Sequence, residues 1–133
     1  QIIYGCSGRG SQTYVNGRTM NHFLGFKFKL ICGYGGSAPQ TLAMLRGETD
    51  AQSSAWQSWL IRQPHLFKDG TLIPIVQVGY KKDPGLPKVP LMMDLAPDAE
   101  TKTILKFISS MGAVGRWLSA PPGAPKKSCR NTA

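Results

Sequence analysis

The stretch Tyr4-Gly5-Cys6-Ser7-Gly8-Arg9-Gly10-Ser11 constrains this chain more than any other. Apolar residues Ile2, Ile3 and Tyr4 lead into it, and a helical pattern starts directly after it. Glycines at 5, 8 and 10 permit positive φ and allow a ligand close to the backbone. Ser11 stands where an N-cap belongs, so the free N–H groups of the next turn would point back toward the loop. A strand, a glycine turn and a helix start together suit an anion. The spacing departs from the familiar motifs. The acidic residue of a dinucleotide fingerprint is replaced by Lys27 and Lys29, no Gly-Lys-Ser/Thr closes a P-loop, and no glycine stands two after Ser7 for a nucleophile elbow.

The same grammar repeats downstream. Tyr14, Val15, Met20, Phe23 and Leu24 share a helical face that Gly25 ends, and Phe26 to Cys32 alternates as a strand. Gly33-Tyr34-Gly35-Gly36-Ser37-Ala38-Pro39 is a second glycine-rich turn, with Ser37 as expected cap and Pro39 in the first turn of a helix through Leu42, Met44 and Leu45. A short polar segment, Thr49 to Ala55, precedes a helical pattern from Trp56 that Pro64 disturbs. Thr71 to Val78 reads as a fourth strand, with Pro74 implying an edge or a bulge. Tyr80 to Pro97 is a proline-fixed surface excursion, and a helix from about Glu100 carries Ile104, Leu105, Ile108 and Met111 at core spacing. A short strand is expected at Trp117–Ala120. This β-α-β rhythm predicts a three-layer αβα domain with a mainly parallel sheet. Ligands of such sheets sit beyond the carboxyl ends of the strands, where both glycine turns and Ser53-Ser54 fall.

A chain of 133 residues with 41% hydrophobic and 17% charged residues is one folded domain. The net charge of +9 comes from scattered lysines and arginines with no basic helix and no basic-aromatic alternation, so no nucleic-acid partner is expected. A diffuse positive field steers small anions instead. Three cysteines form no CxxC, and Cys6 and Cys32 are expected to be reduced and unbridged. His22 and His65 are isolated, so neither metal, cofactor nor enzymatic activity is expected; a nucleophilic Ser7 or Cys6 would lack a marked general base. No run is long enough for a transmembrane helix, and no charged-then-apolar leader opens the chain.

Five motifs in register over about residues 2 to 127 carry a family resemblance. They are Tyr4 to Ser11, Tyr34-Gly-Gly-Ser-Ala-Pro39, Leu45-Arg-Gly-Glu-Thr-Asp50, Leu86-Pro-Lys-Val-Pro90, and Gly115-Arg116 followed by Ala120-Pro-Pro-Gly-Ala-Pro125. Together they resemble the second lobe of the extracytoplasmic solute receptors of tripartite tricarboxylate transporters, the Bug family. The resemblance implies a single lobe of a type II periplasmic-binding-protein fold. Its ligand would be a small carboxylate-bearing metabolite, its compartment the periplasm, and its full-receptor partner a membrane permease. It places Ser7, Gly8, Gly10, Ser11, Tyr34, Gly35, Gly36, Ser37, Ser53 and Ser54 at the ligand. Gly35 stands where the family often has a basic residue. Ser54 stands where amino-acid binders may carry an acid, which favours a carboxylate or neutral ligand over an amino acid.

The resemblance also sets the expected organisation: residues 1–112 as the lobe, 113–125 as a crossover strand and proline-rich return, and 126–133 as an irregular tail. In one coding of Ser128–Ala133, a one-base shift reads Val-Ala-Glu-Thr-Leu, suiting the family's next helix, so a frame-disrupted fragment of a receptor about twice as long is expected. Trp117 and Leu118, lacking the first lobe, are expected to pair in a homodimer built on about Met111 to Pro122. The competing reading is an oligomeric scaffold that keeps the fold without the ligand.

Overall fold

Strand β1 spans Ile3–Cys6. The computed structural model describes residues 1–113; the expected strand at Trp117–Ala120, the return segment and the tail lie outside them. After β1, helix α1 (Gln12–Leu24) starts at the Ser11 cap and stops at Gly25, whose φ of 69° is left-handed. Strand β2 (Lys29–Cys32), helix α2 (Ser37–Leu45) and strand β3 (Ala51–Gln52) follow. Beyond them lie α3 (Trp56–Arg62), α4 (His65–Lys68), a 3-10 turn at Met92–Leu95 and α5 (Ala99–Ala113).

The sheet is parallel with order β2-β1-β3, Tyr4 pairing with both Leu30 and Ala51. The chain moves outward from β1 to β2 and then back across to β3. Right-handed crossovers therefore put α1 and α2 on opposite faces, giving the three layers. The α1 face holds the main core: Tyr4, Cys6, Met20 and Phe28 pack with Leu91, Met92, Met93 and Leu105. Tyr4 stacks on Phe28 at 5.3 Å and Phe26 on Phe28 at 5.1 Å. A smaller aromatic cluster joins α3 to α4, with the Phe67 ring edge-on to Trp56 and Trp59.

Three expectations change. Thr71 to Val78 does not form a fourth strand; only Gln77 bridges to Leu91, while Ile73 and Ile75 face solvent. Pro74 has no N–H to give a ladder, and β3 is only two residues long, so the sheet offers little to extend. Ser37 does not cap α2. Gly36 takes the cap position at φ 143°, a backbone only glycine adopts freely, and Ser37 becomes the first helical residue.

The largest correction concerns the thiols: Cys6 and Cys32 form a disulfide. They are the last register pair of β1 and β2, with Cα atoms 4.4 Å apart, so both side chains leave the same face of the sheet at bonding range. Sequence spacing cannot display that coincidence, since it arises only when the two strands pair in this register.

Candidate functional site at the carboxyl rim

The Gly5–Ser11 loop lies at the carboxyl end of β1 and leads into α1, as its sequence requires. Much of its own hydrogen bonding is internal. Ser11 Oγ donates to Gly8 O at 2.7 Å and accepts from the N–H groups of Gly8 and Tyr14, both at 3.3 Å. The Ser7 N–H donates to Thr13 Oγ1 at 3.2 Å. A ligand using the Ser7 or Gly8 amide must displace these side-chain oxygens. Gly8 and Gly10 border open space, with nothing within 4 Å of a built Cβ.

The second glycine turn is tied to the first. Gly33 N–H donates to Cys6 O and Ser7 O, each at 3.1 Å. Tyr34 N–H also reaches Cys6 O, at 3.4 Å, and the Tyr34 ring borders Gly5. Gln40, from α2, donates its Nε2 to Ser7 Oγ at 2.8 Å. The third loop joins from the other side: Asn16 of α1 donates Nδ2 to Ser53 Oγ at 3.0 Å, and Gln12 braces Asn16 at 2.9 Å. Gln52 donates to Thr41 Oγ1 at 2.7 Å, and Thr41 in turn donates to Ser37 O at 2.9 Å, so β3 is keyed to the first turn of α2.

Ser37 and Ser54 share a hollow of about 40 Å³ with Thr41, Ser58, Trp59 and Arg62. That volume admits water or one small polar group rather than a whole metabolite. The hollow combines serine hydroxyls, the first turn of α2 and one guanidinium, a donor set that attracts a carboxylate oxygen. Gly35 leaves the second turn without a cation, and Arg62 brings one in from α3. Sequence reading missed Arg62, although Ser58 and Arg62 stand four apart on one helical face, one turn beyond Ser54. It also missed Gln40, Asn16 and Gln52, whose positions at rim-facing ends of helices and strands become meaningful only once the crossovers are known. Gly10 and Gly35 stay exposed at the rim, and Ser53 is directed to Asn16 rather than into the hollow.

Polarity left unmatched marks the same region. Gln40 is 0% exposed, and its Oε1 has no hydrogen-bond partner among the described residues; Gln52 Oε1 and Thr49 Oγ1 share that condition. Tyr4 sends its hydroxyl toward Ser53 without reaching hydrogen-bond geometry. Burial pushes its phenol up to about 12, opposed weakly by the Ser53 hydroxyl.

No family model matches the chain, and no curated protein matches it. Among solved structures, a TctC solute binding protein from Polaromonas, determined without ligand, superposes with a TM-score of 0.58 at 18% identity. The match covers 87% of this chain and 44% of the other, so this chain spans less than half that protein's length. The likeness identifies the architecture: this chain has the fold of one part of a TctC solute binding protein.

Proposed function

We propose that the chain is a non-enzymatic binding lobe for a small carboxylate-bearing metabolite, derived from a receptor of a tripartite tricarboxylate transporter. The observation that carries this reading is the junction of Ser37, Ser54 and Arg62 in one hollow at the carboxyl rim of a solute-binding-protein fold. Arg62 pairs with one carboxylate oxygen, the α2 amides take the other, and the Ser7–Ser11 loop borders the rest of the ligand. A disulfide at the rim suits the oxidising periplasm, where such receptors work. The permease partner belongs to the receptor as a whole. The lobe itself forms a homodimer through the segment from about Met111 to Pro122.

Calorimetry and thermal shift against a panel of di- and tricarboxylates test the binding. A bound carboxylate raises the melting temperature by mass action. Arg62→Gln removes a charge-assisted hydrogen bond and weakens that carboxylate about tenfold or more. Gly10→Val crowds the ligand face of the loop and abolishes binding with the melting temperature unchanged, because its Cβ meets nothing within 4 Å. Silence across the panel, or indifference to Arg62→Gln, removes this reading. The scaffold reading would then stand on the exposed apolar side chains Ile61, Ile73 and Phe107, which are 81%, 76% and 74% exposed.

A further inference from the structure

The opposite edge of the sheet carries a second basic feature, which meets the rim loop only at Arg9. An open groove of about 460 Å³ runs between α1 and the edge strand β2. Its floor is Phe28, Leu30 and Cys32, alternate residues that β2 and its approach present to one side. Its wall is Tyr14, Arg18 and Asn21, spaced by four and three on α1, and Arg9 closes it from the glycine loop. Among the described residues, no Asp or Glu lines it.

Each lining group has a definable role. Asn21 is fully engaged with the floor, accepting from Phe28 N–H and donating to Phe28 O, both at 2.9 Å. That two-way clamp fixes β2 against α1, and the disulfide fixes the other end of the floor to β1. Arg9 and Arg18, both exposed, then line a groove whose base carries Phe28 and Leu30 and is held at both ends. Two like charges on one groove repel one another, and an anion between them relieves that repulsion while forking to a guanidinium. An apolar body on the same anion covers the half-buried Leu30 beside the already buried Phe28, gaining roughly 25 cal/mol for each Å² removed from water.

We infer that this groove binds an organic anion consisting of one carboxylate on an apolar body, independently of the rim. Charge alone or bulk alone meets only half of the lining. The rim hollow lies beyond β3 and shares no residue with the groove, so the two sites can fail separately.

The test uses three probes on the oxidised full chain, followed by amide chemical-shift mapping: benzoate for charge with body, benzamide for body alone, and acetate for charge alone. Benzoate should shift the amides of Arg9, Tyr14, Arg18, Leu30 and Cys32 with an affinity at least about tenfold above either other probe. Arg18→Gln and Arg9→Gln should each weaken benzoate at least about fivefold, with melting temperatures unchanged. Arg46→Gln removes the same charge at the far end of α2 and should leave binding intact. Equal shifts from benzamide and benzoate, an equal loss in Arg46→Gln, or shifts centred on Ser37, Ser54 and Arg62 would each overturn the inference. Arg62→Gln binding benzoate normally while losing the rim carboxylates keeps this outcome separate from that of the rim.

Discussion

Tyr4 shows how one side chain ties the core to the rim. Its ring stacks on Phe28 and its hydroxyl is buried near Ser53 without a partner. With the folded phenol raised to about 12 and the unfolded one near 10, both states are protonated below pH 10. Between the two values the unfolded chain alone ionises, so stability falls as pH rises, by roughly 2–3 kcal/mol in all. Tyr4→Phe keeps the ring, removes the unpartnered hydroxyl and should flatten that alkaline loss while costing little at pH 7. Denaturant melts of both proteins at pH 7 and pH 11 measure it; an unchanged alkaline loss in Tyr4→Phe would place its origin elsewhere. Gly17 acts nearby by having no side chain: a Cβ there would lie 2.6 Å from Leu30 Cδ2 and about as near the Tyr4 ring as contact allows, at 3.1 Å. This close approach lets α1 bury Asn16, Gly17, Thr19 and Met20 against the sheet, while Tyr14, Phe23 and Leu24 pack on the edge of the core.

Among the elements, the β1–β2 pair is the most strongly tied. Four register pairs end in the disulfide, and the cystine closes a loop that contains the whole of α1. Alkylation of the unfolded, unreduced protein should leave Cys6 and Cys32 unlabelled. Reduction should lower stability by roughly 3.5 kcal/mol, the loop-entropy value for this separation of 26 residues. Full labelling without reductant would show the strands pairing without the bond. The excursion after Val78 is organised differently, around one glutamine. Gln77 Nε2 donates to Leu86 O at 2.8 Å and to Val89 O at 3.0 Å, and its Oε1 accepts from Asp83 N–H at 2.8 Å. Its backbone meanwhile accepts from Met92 N–H at 2.8 Å and donates to Pro90 O at 2.9 Å. A segment that reads as a strand thus gives its polar groups to a loop. Helix α5 is held at its start by Asp98, which accepts from Thr101 N–H at 2.7 Å, and those bonds keep the carboxyl below its ordinary range.

At the scale of the molecule, the described residues leave several large apolar side chains on the surface. On α5, Phe107 and Met111 stand four apart and both are exposed, 74% and 55%, while Leu105 on another face is buried. The homodimer expected through Met111 to Pro122 would cover that face. Light scattering at tens of micromolar should give about twice 14.5 kDa, and deletion of residues after 112 should return the monomer. A monomer in both cases would exclude the dimer.

Local physical chemistry was enough for much of this. The glycine turns, the Ser11 cap, the Gly25 stop and the alternation before Cys32 follow from φ, hydrogen-bond and burial rules acting within about ten residues. They led from the chain alone to a parallel αβα sheet with its loops on one rim. Tertiary structure decided whatever depended on residues meeting across the crossovers. It put Cys32 opposite Cys6 and made a bond of two thiols that spacing left apart. It carried Gln40 to Ser7, Asn16 to Ser53, and Arg62 to Ser37 and Ser54. It also withheld a fourth strand from Thr71 to Val78, because a ladder needs a partner edge as well as a suitable sequence.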